Sequence, residues 1–192
     1  MRRLLGVLAI ALLAAILAIG LSQAGGGEKP VAQRFDLEAA LTRLEGAPAP
    51  LASLHRQANR LLGGGREAFD ARLAELRGRP VVVNKWASWC GPCRAEFPIF
   101  QRAAVERGKE IAFVGLNASD KRPAAERFLA AYPVPFPSYE DAREDIARSL
   151  KAPSNYPITV FIDARGRTAY IHQGGYAEAA DLAADIDRYL GA

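Results

Sequence analysis

Three stretches of the chain are short, apolar and rich in β-branched residues: Val81–Trp86, Ile111–Leu116 and Ile158–Ile162. Runs of this length and character predict strands covered on both faces. Around them hydrophobic positions recur at helical spacing. Pro92–Glu106 predicts a helix after the first strand, Ala124–Ala131 and Arg143–Leu150 two shorter ones, and Ala177–Leu190 a closing helix with Leu182, Ile186 and Leu190 on one face. Phe136–Tyr139 reads as a short strand among prolines. Asp163-Ala164-Arg165-Gly166 is a turn after which Thr168–His172 folds back as a hairpin.

Upstream, Leu37, Leu41 and Leu44 predict a helix with Asp36 as its N-cap. Leu51, Leu54, Ala58, Leu61 and Leu62 form a second helical stripe, ended by Gly63-Gly64-Gly65; Phe69, Leu73 and Leu76 form a third, closed by Gly78 and Pro80. Strand, helix, strand, hairpin and helix in that order give an α/β fold, a three-layer α/β/α sandwich with a mixed sheet. Its first two strands are parallel through a right-handed crossover, and its final hairpin is antiparallel.

The hydrophobic pattern differs at the N-terminus. Leu4–Leu21 is an uncharged run of 18 residues preceded by Arg2 and Arg3. It spans roughly 27 Å as a helix, close to the hydrocarbon thickness of a bilayer. Positive residues stay inside, so everything after it is expected outside the cytosol. The run reads as an uncleaved anchor. A secretory signal peptide cleaved after Ser22-Gln23-Ala24 is the other reading. The expected organisation is a cytosolic tip at 1–3, an anchor or signal peptide at 4–22, a tether at 23–35, a helical N-terminal extension at 36–76 and the α/β domain at 77–192.

Composition narrows the chemistry. The 192 residues carry 25 Lys+Arg against 21 Asp+Glu, and no basic block interleaved with aromatics appears, which argues against a nucleic-acid partner. Two Cys and two His, with His55 and His172 far from the cysteines, make a structural zinc site improbable, and no metal is expected. Neither histidine has a supporting constellation.

Trp89-Cys90-Gly91-Pro92-Cys93 falls between the first strand and its helix. A Cys-x-x-Cys pair there can do redox work. At a helix N-terminus, free N–H groups and the dipole favour a thiolate at Cys90. Pro92 falls in the first turn, where its missing N–H costs nothing. The two-residue gap lets the sulfurs meet across one turn. A static disulfide closing so short a loop would gain little entropy, and a c-type haem site would need His where Arg94 stands.

Asn84-Lys85-Trp86-Ala87-Ser88-Trp89-Cys90-Gly91-Pro92-Cys93-Arg94-Ala95-Glu96-Phe97-Pro98 resembles the active-site stretch of TlpA/ResA-type thioredoxins, tethered thiol–disulfide oxidoreductases on the outer side of bacterial cytoplasmic membranes. Tyr156–Asp163 resembles that family's cis-proline stretch, and the segment between Pro123 and Leu150 its central insertion. The resemblance spans roughly Leu76–Leu190 and implies a thioredoxin fold. It also implies roles: Cys90 the exposed attacking thiolate, Cys93 the resolving thiol, Pro157 a cis-proline facing them, with the Tyr156 backbone offered to an extended peptide. Trp89, Gly91 and Pro92 would line the substrate surface, with Trp89 shielding the sulfurs. Glu96, one turn beyond Cys93, resembles the acid that ResA-like members place near the motif. It could accept the Cys93 proton, and on an exposed helix face its replacement would cost little stability.

Two departures stand out. Lys85 takes the place where the family usually has Phe, and in a buried strand it must pair or reach solvent. The family's usual N-terminal hairpin is not evident. Asn84 stands where cytosolic thioredoxins carry a buried acid, so a proton-shuttling role of its own is doubtful. The implied activity is reduction of disulfides in exported proteins, including apocytochrome c maturation, with electrons from a membrane thiol donor and no bound cofactor beyond the Cys90–Cys93 pair. Oxidative folding, or a non-catalytic binding module on the same fold, are the alternatives.

Overall fold

The computed structural model describes residues 35–191. The expected anchor and tether lie outside the described residues, among which no helix is long and apolar enough to cross a membrane. The chain runs α1 (Leu37–Leu44), α2 (Ala49–His55), β1 (Leu61–Leu62), α3 (Gly65–Glu75), β2 (Val81–Trp86), α4 (Gly91–Arg107), β3 (Ala112–Ala118), α5 (Arg122–Ala131), β4 (Ser138–Asp141), α6 (Asp145–Ser149), β5 (Ile158–Ile162), β6 (Thr168–Gln173) and α7 (Ala179–Leu190). One six-stranded sheet has the order β1-β4-β3-β2-β5-β6. β2 is parallel to β3 and β3 to β4, while β5 is antiparallel to both β2 and β6. The mixed sheet and antiparallel hairpin match the reading of the sequence.

Period-two alternation along β2 sorts the core into two layers. Val82 and Trp86 join Phe97, Phe100, Phe128, Leu182 and Ile186 from α4, α5 and α7 on one face. Val81 and Val83 join Leu51, Leu54, Phe69 and Ile146 from α2, α3 and α6, with Leu76 just after α3, on the other. Trp86 sits at the centre of an aromatic knot, stacked on Phe128 at 4.9 Å and edge-on to Phe97 at 5.4 Å. Such pairs add about 0.5–1.5 kcal/mol each beyond their burial. The Trp86 indole N–H donates to Ser138 Oγ at 3.1 Å across β3. Gly115 makes that possible, because a Cβ there would collide with the Ser138 hydroxyl and lie 2.9 Å from Trp86 Nε1.

The N-terminal extension differs from the helical reading. α1 forms as expected, with the Asp36 carboxylate accepting from Ala39 N–H at 3.0 Å. The stripe from Leu51 to Leu62 does not continue as one helix. Asn59 adopts a left-handed backbone with φ 58. Its amide donates to the Leu129 carbonyl at 3.2 Å and accepts from Val134 N–H at 3.1 Å. These bonds satisfy backbone groups after α5 at the expense of helix continuation. Leu61–Leu62 then becomes an edge strand parallel to Ser138–Tyr139. Gly64, at φ 90, caps the start of α3 rather than ending the preceding helix. The sheet thus crosses position 77, and residues from Phe35 onward form one unit.

α6 is shorter than the expected Arg143–Leu150. The Asp141 carboxylate accepts from Ile146 and Ala147 N–H at 3.0 and 2.8 Å, which fixes the helix start after Glu144.

Candidate active site

The site forms at the C-terminal ends of β2 and β3, where open α/β sheets place their ligands. β2 ends at Trp86 and a three-residue loop delivers Cys90 as the N-cap of α4. Its Sγ accepts from Cys93 N–H at 3.1 Å. Gly91 and Pro92 occupy the first turn and are exposed. The loop is gripped from just past the end of β3: the Asp120 carboxylate accepts from Ser88 N–H at 2.6 Å, Ser88 Oγ–H at 2.9 Å and Asn117 Nδ2–H at 3.0 Å. Burial would raise the Asp120 carboxyl, but the bonds from Asn117, Ser88 and Lys121 outweigh it and hold the group below its ordinary value.

Cys90 and Cys93 form a disulfide. Cys90 was expected to be exposed. In this oxidised form it is buried at 4% exposure, but it still has more access than Cys93 at 0%. The Tyr156–Pro157 bond is cis, and the Pro157 carbonyl accepts from Gly174 N–H at 3.0 Å. A Cβ placed on Gly175 would lie 3.6 Å from both Pro157 Cγ and Glu96 Oε2 and 3.7 Å from the Pro92 carbonyl. That point brings together the proline, the carboxylate and the first turn of α4.

Glu96 requires a correction. It is fully buried at 0% exposure, not on a solvated helix face. Oε1 accepts from Asn84 Nδ2–H at 2.7 Å and Oε2 from Tyr176 N–H at 3.2 Å. The strand residue opposite the motif and the turn after β6 therefore close over it. Burial pushes the Glu96 carboxyl up to about 7, with the Asn84 and Tyr176 bonds lowering it only in part. Asn84, doubtful as a shuttle of its own, holds the group that can take a proton.

Trp89 is the large exposed hydrophobic among the described residues, at 60%. It meets Tyr156 edge-on at 5.0 Å, with its indole N–H donating to the Ser119 carbonyl at 3.0 Å. Its exposed ring is therefore available to a docking partner. Lys85 is fully buried and has found partners: Nζ donates to Glu144 Oε2 at 3.2 Å and to the Pro153 carbonyl at 2.8 Å. Of the histidines, His172 stacks on Tyr176 at 4.1 Å and lies 3.4 Å from Asp185, while His55 Nδ1 is buried without a partner near the far end of α4.

Sequence reasoning missed Asp120, Ser119, Glu144, Gly175 and Tyr176. Only Asp120 had a legible signal, as an acid just past the end of a buried strand. The others depend on which loops the fold brings together.

The comparisons agree with this geometry. Thiol:disulfide interchange protein DsbE of Pseudomonas fluorescens biotype C is 37% identical over 94 residues, covering 48% of this chain and 51% of that protein. Thiol-disulfide oxidoreductase ResA of Oceanobacillus iheyensis is 33% identical over 106 residues, covering 54% of each. The chain thus spans about half the length of the curated relatives it matches. A crystal structure assigned as a thiol:disulfide interchange protein DsbE from Chlorobium tepidum superimposes with a TM-score of 0.56 at 30% identity, over 62% of this chain and 85% of that one. The thioredoxin-like fold is shared with this solved structure. The Redoxin family profile matches residues 45–186, nearly three quarters of the sequence, and the chain belongs to the Redoxin family.

Proposed function

We propose that the chain is a thiol–disulfide oxidoreductase that reduces disulfides of exported proteins from the outer side of the cytoplasmic membrane. The observation that carries this reading is the Cys90–Cys93 disulfide at the start of α4, with Glu96 buried behind it and Pro157 beside it. In the reduced state the Cys90 thiolate attacks a substrate disulfide. One substrate sulfur leaves as a thiolate and a mixed disulfide forms. Cys93 then loses its proton and attacks Cys90 Sγ, which expels the second substrate sulfur. Two electrons have passed to the substrate, and Cys90–Cys93 is oxidised. A carboxylate that titrates near neutrality is suited to taking the Cys93 proton.

The rim supports a polypeptide substrate. Trp89, Gly91, Pro92, Tyr156 and Gly175 carry no charge, and all but the half-buried Tyr156 are exposed. Recognition there rests on backbone and apolar contact. The next round needs electrons from a membrane thiol donor, and no further cofactor enters the cycle. Among exported proteins, apocytochrome c, whose haem-attachment cysteines must be reduced, is the substrate we favour from the resemblance to ResA-type proteins.

Location rests on Arg2, Arg3 and the apolar run from Leu4 to Leu21. Two experiments test the proposal. The full-length chain in detergent should precipitate insulin through B-chain release with dithiothreitol as donor, and Cys90→Ser should abolish this. Equal rates would end the reading. In membranes, the chain should resist carbonate extraction; a soluble product beginning near Gly25 would indicate a cleaved signal peptide instead.

A further inference from the structure

Lys85 is the one charged residue on β2, and it is wholly buried. Its neighbours on the same sheet face, Val81 and Val83, are apolar, and an apolar side chain would serve the strand at least as well. Burying an ion pair is usually neutral or worse for stability than matched hydrophobic packing. The explanation has to come from what the ammonium touches.

Lys85 Nζ lies 4.1 Å from the centre of the Tyr156 ring and bonds Glu144 Oε2. The other oxygen of Glu144 accepts from Tyr156 Oη–H at 2.6 Å and from Ser119 Oγ–H at 2.6 Å. The Ser119 carbonyl in turn holds the Trp89 indole N–H. Tyr156 is therefore fixed at its ring face by a buried ammonium and at its hydroxyl by that ammonium's partly exposed carboxylate partner. Trp89, packed edge-on against that ring, is tied to the same carboxylate through Ser119. Ser119 and Glu144 both hold left-handed backbones, at φ 50 and 58. Non-glycine residues persist there only where their surroundings impose it, and such sites concentrate at clamps and active sites. Burial alone would raise the Glu144 carboxyl, but the bonds from Ser119, Tyr156 and Lys85 outweigh it, so it stays ionised as the hub.

We propose that Lys85 and Glu144 are positioning residues that hold Tyr156 and Trp89 as a rigid aromatic strip, against which a polypeptide disulfide docks beside Cys90. This rests on the thiol–disulfide exchange proposed above. Pre-ordering both rings removes the entropy an incoming chain would otherwise spend to order them. The pair should therefore govern KM for polypeptide disulfides and leave the sulfur chemistry alone. A small disulfide, which needs no docking strip, should not register its loss.

The test compares the full-length chain with Lys85→Met/Glu144→Ala, which removes the tie and leaves no buried charge unpaired. KM for insulin should rise about three- to tenfold with kcat within twofold, while attack on 5,5′-dithiobis(2-nitrobenzoate) stays within twofold. Lys85→Met/Glu144→Gln restores an acceptor for the Tyr156 hydroxyl, so KM should return toward the parent value. Independently of activity, hydrogen exchange in the segment 152–157 should quicken about tenfold in the Ala double variant. Unchanged KM and unchanged exchange would overturn the proposal, as would an equal fall in the rates with both disulfides. If the double variant does not fold, Tyr156→Phe breaks the tie alone and must raise KM for insulin. A parent inactive on insulin would defeat the proposed function; the exchange measurement would still decide whether the tie holds the strip.

Discussion

Asn84 on β2 donates its side-chain amide to Glu96 on α4 at 2.7 Å, so a buried polar residue of the central strand holds a fully buried carboxylate one helical turn beyond Cys93. Tyr176 N–H closes the other side. A carboxyl held this way is a proton store, because burial keeps it neutral at acid pH and lets it ionise near pH 7.

The first prediction concerns pH. Below the ordinary carboxyl value of 4.5, Glu96 is neutral in folded and unfolded chains alike and costs nothing. Between there and about 7 the unfolded chain ionises first, so stability falls as pH rises, and above about 7 the full cost is present. The cost is on the order of 3 kcal/mol. Glu96→Gln removes it. The variant's melting temperature relative to the parent should climb between about pH 4.5 and 7 and then level off. Its insulin reduction should fall at least about tenfold at about pH 8, where the parent holds a carboxylate, and change little near pH 5.5. A flat stability difference across this range would show that Glu96 titrates normally.

A second prediction follows from access to the sulfurs. In the reduced chain, iodoacetamide should label Cys90 at least about tenfold faster than Cys93, since Cys90 caps α4 and is the less buried of the two. Peptide mass spectrometry after brief labelling at about pH 7 reads this directly. Preferential labelling of Cys93 would reverse the assigned roles.

Asp120 gives the third. Asp120→Ala leaves Ser88 N–H, Asn117 Nδ2–H and Lys121 N–H without their acceptor and should cost about 1–3 kcal/mol, less whatever water recovers. The Asp120 carboxyl is depressed in the fold, so its contribution is complete above the ordinary 3.8 and is lost as pH falls through the lower folded value. Parent and variant melting curves should converge in strong acid. A gap that stays constant down to about pH 2 would mean the carboxylate charge is irrelevant to the grip on Ser88.

Gly115→Ala tests the packing that supports β2. Its Cβ would meet the Ser138 hydroxyl and Trp86 Nε1, so the Trp86–Ser138 bond must yield. Overpacking of this kind costs about 1–3 kcal/mol. Urea denaturation should show a lower midpoint with an unchanged slope. An unshifted midpoint would mean that β3 and β4 separate easily at this point.

Much of this was legible in the chain. Val81–Trp86 and Ile158–Ile162 formed as strands over the expected residues, because unbroken β-branched runs leave little choice of register. Cys90 as the N-cap of α4 followed from Pro92 and the strand before it. The failures share one cause. Asn59 reads locally as a helix residue, yet its amide is claimed by Leu129 and Val134, some seventy residues away. Glu96 reads as a surface residue on a weakly amphipathic helix, but the turn at Gly174–Tyr176 folds over it. Lys85 reads as an anomaly until Glu144 arrives from a distant loop. Polar residues whose partners lie far along the sequence have no local pattern to announce them.

The measurement closest to the central claim is capture of the exchange intermediate. Reduced full-length Cys93→Ser, mixed with oxidised insulin and quenched with acid, should accumulate a mixed disulfide between Cys90 and an insulin chain, identified by mass spectrometry. The parent should instead yield free insulin chains and an intact Cys90–Cys93 disulfide, and Cys90→Ser should yield no adduct. An adduct that forms through Cys93 in Cys90→Ser but not through Cys90 in Cys93→Ser, or none in either, would contradict the account.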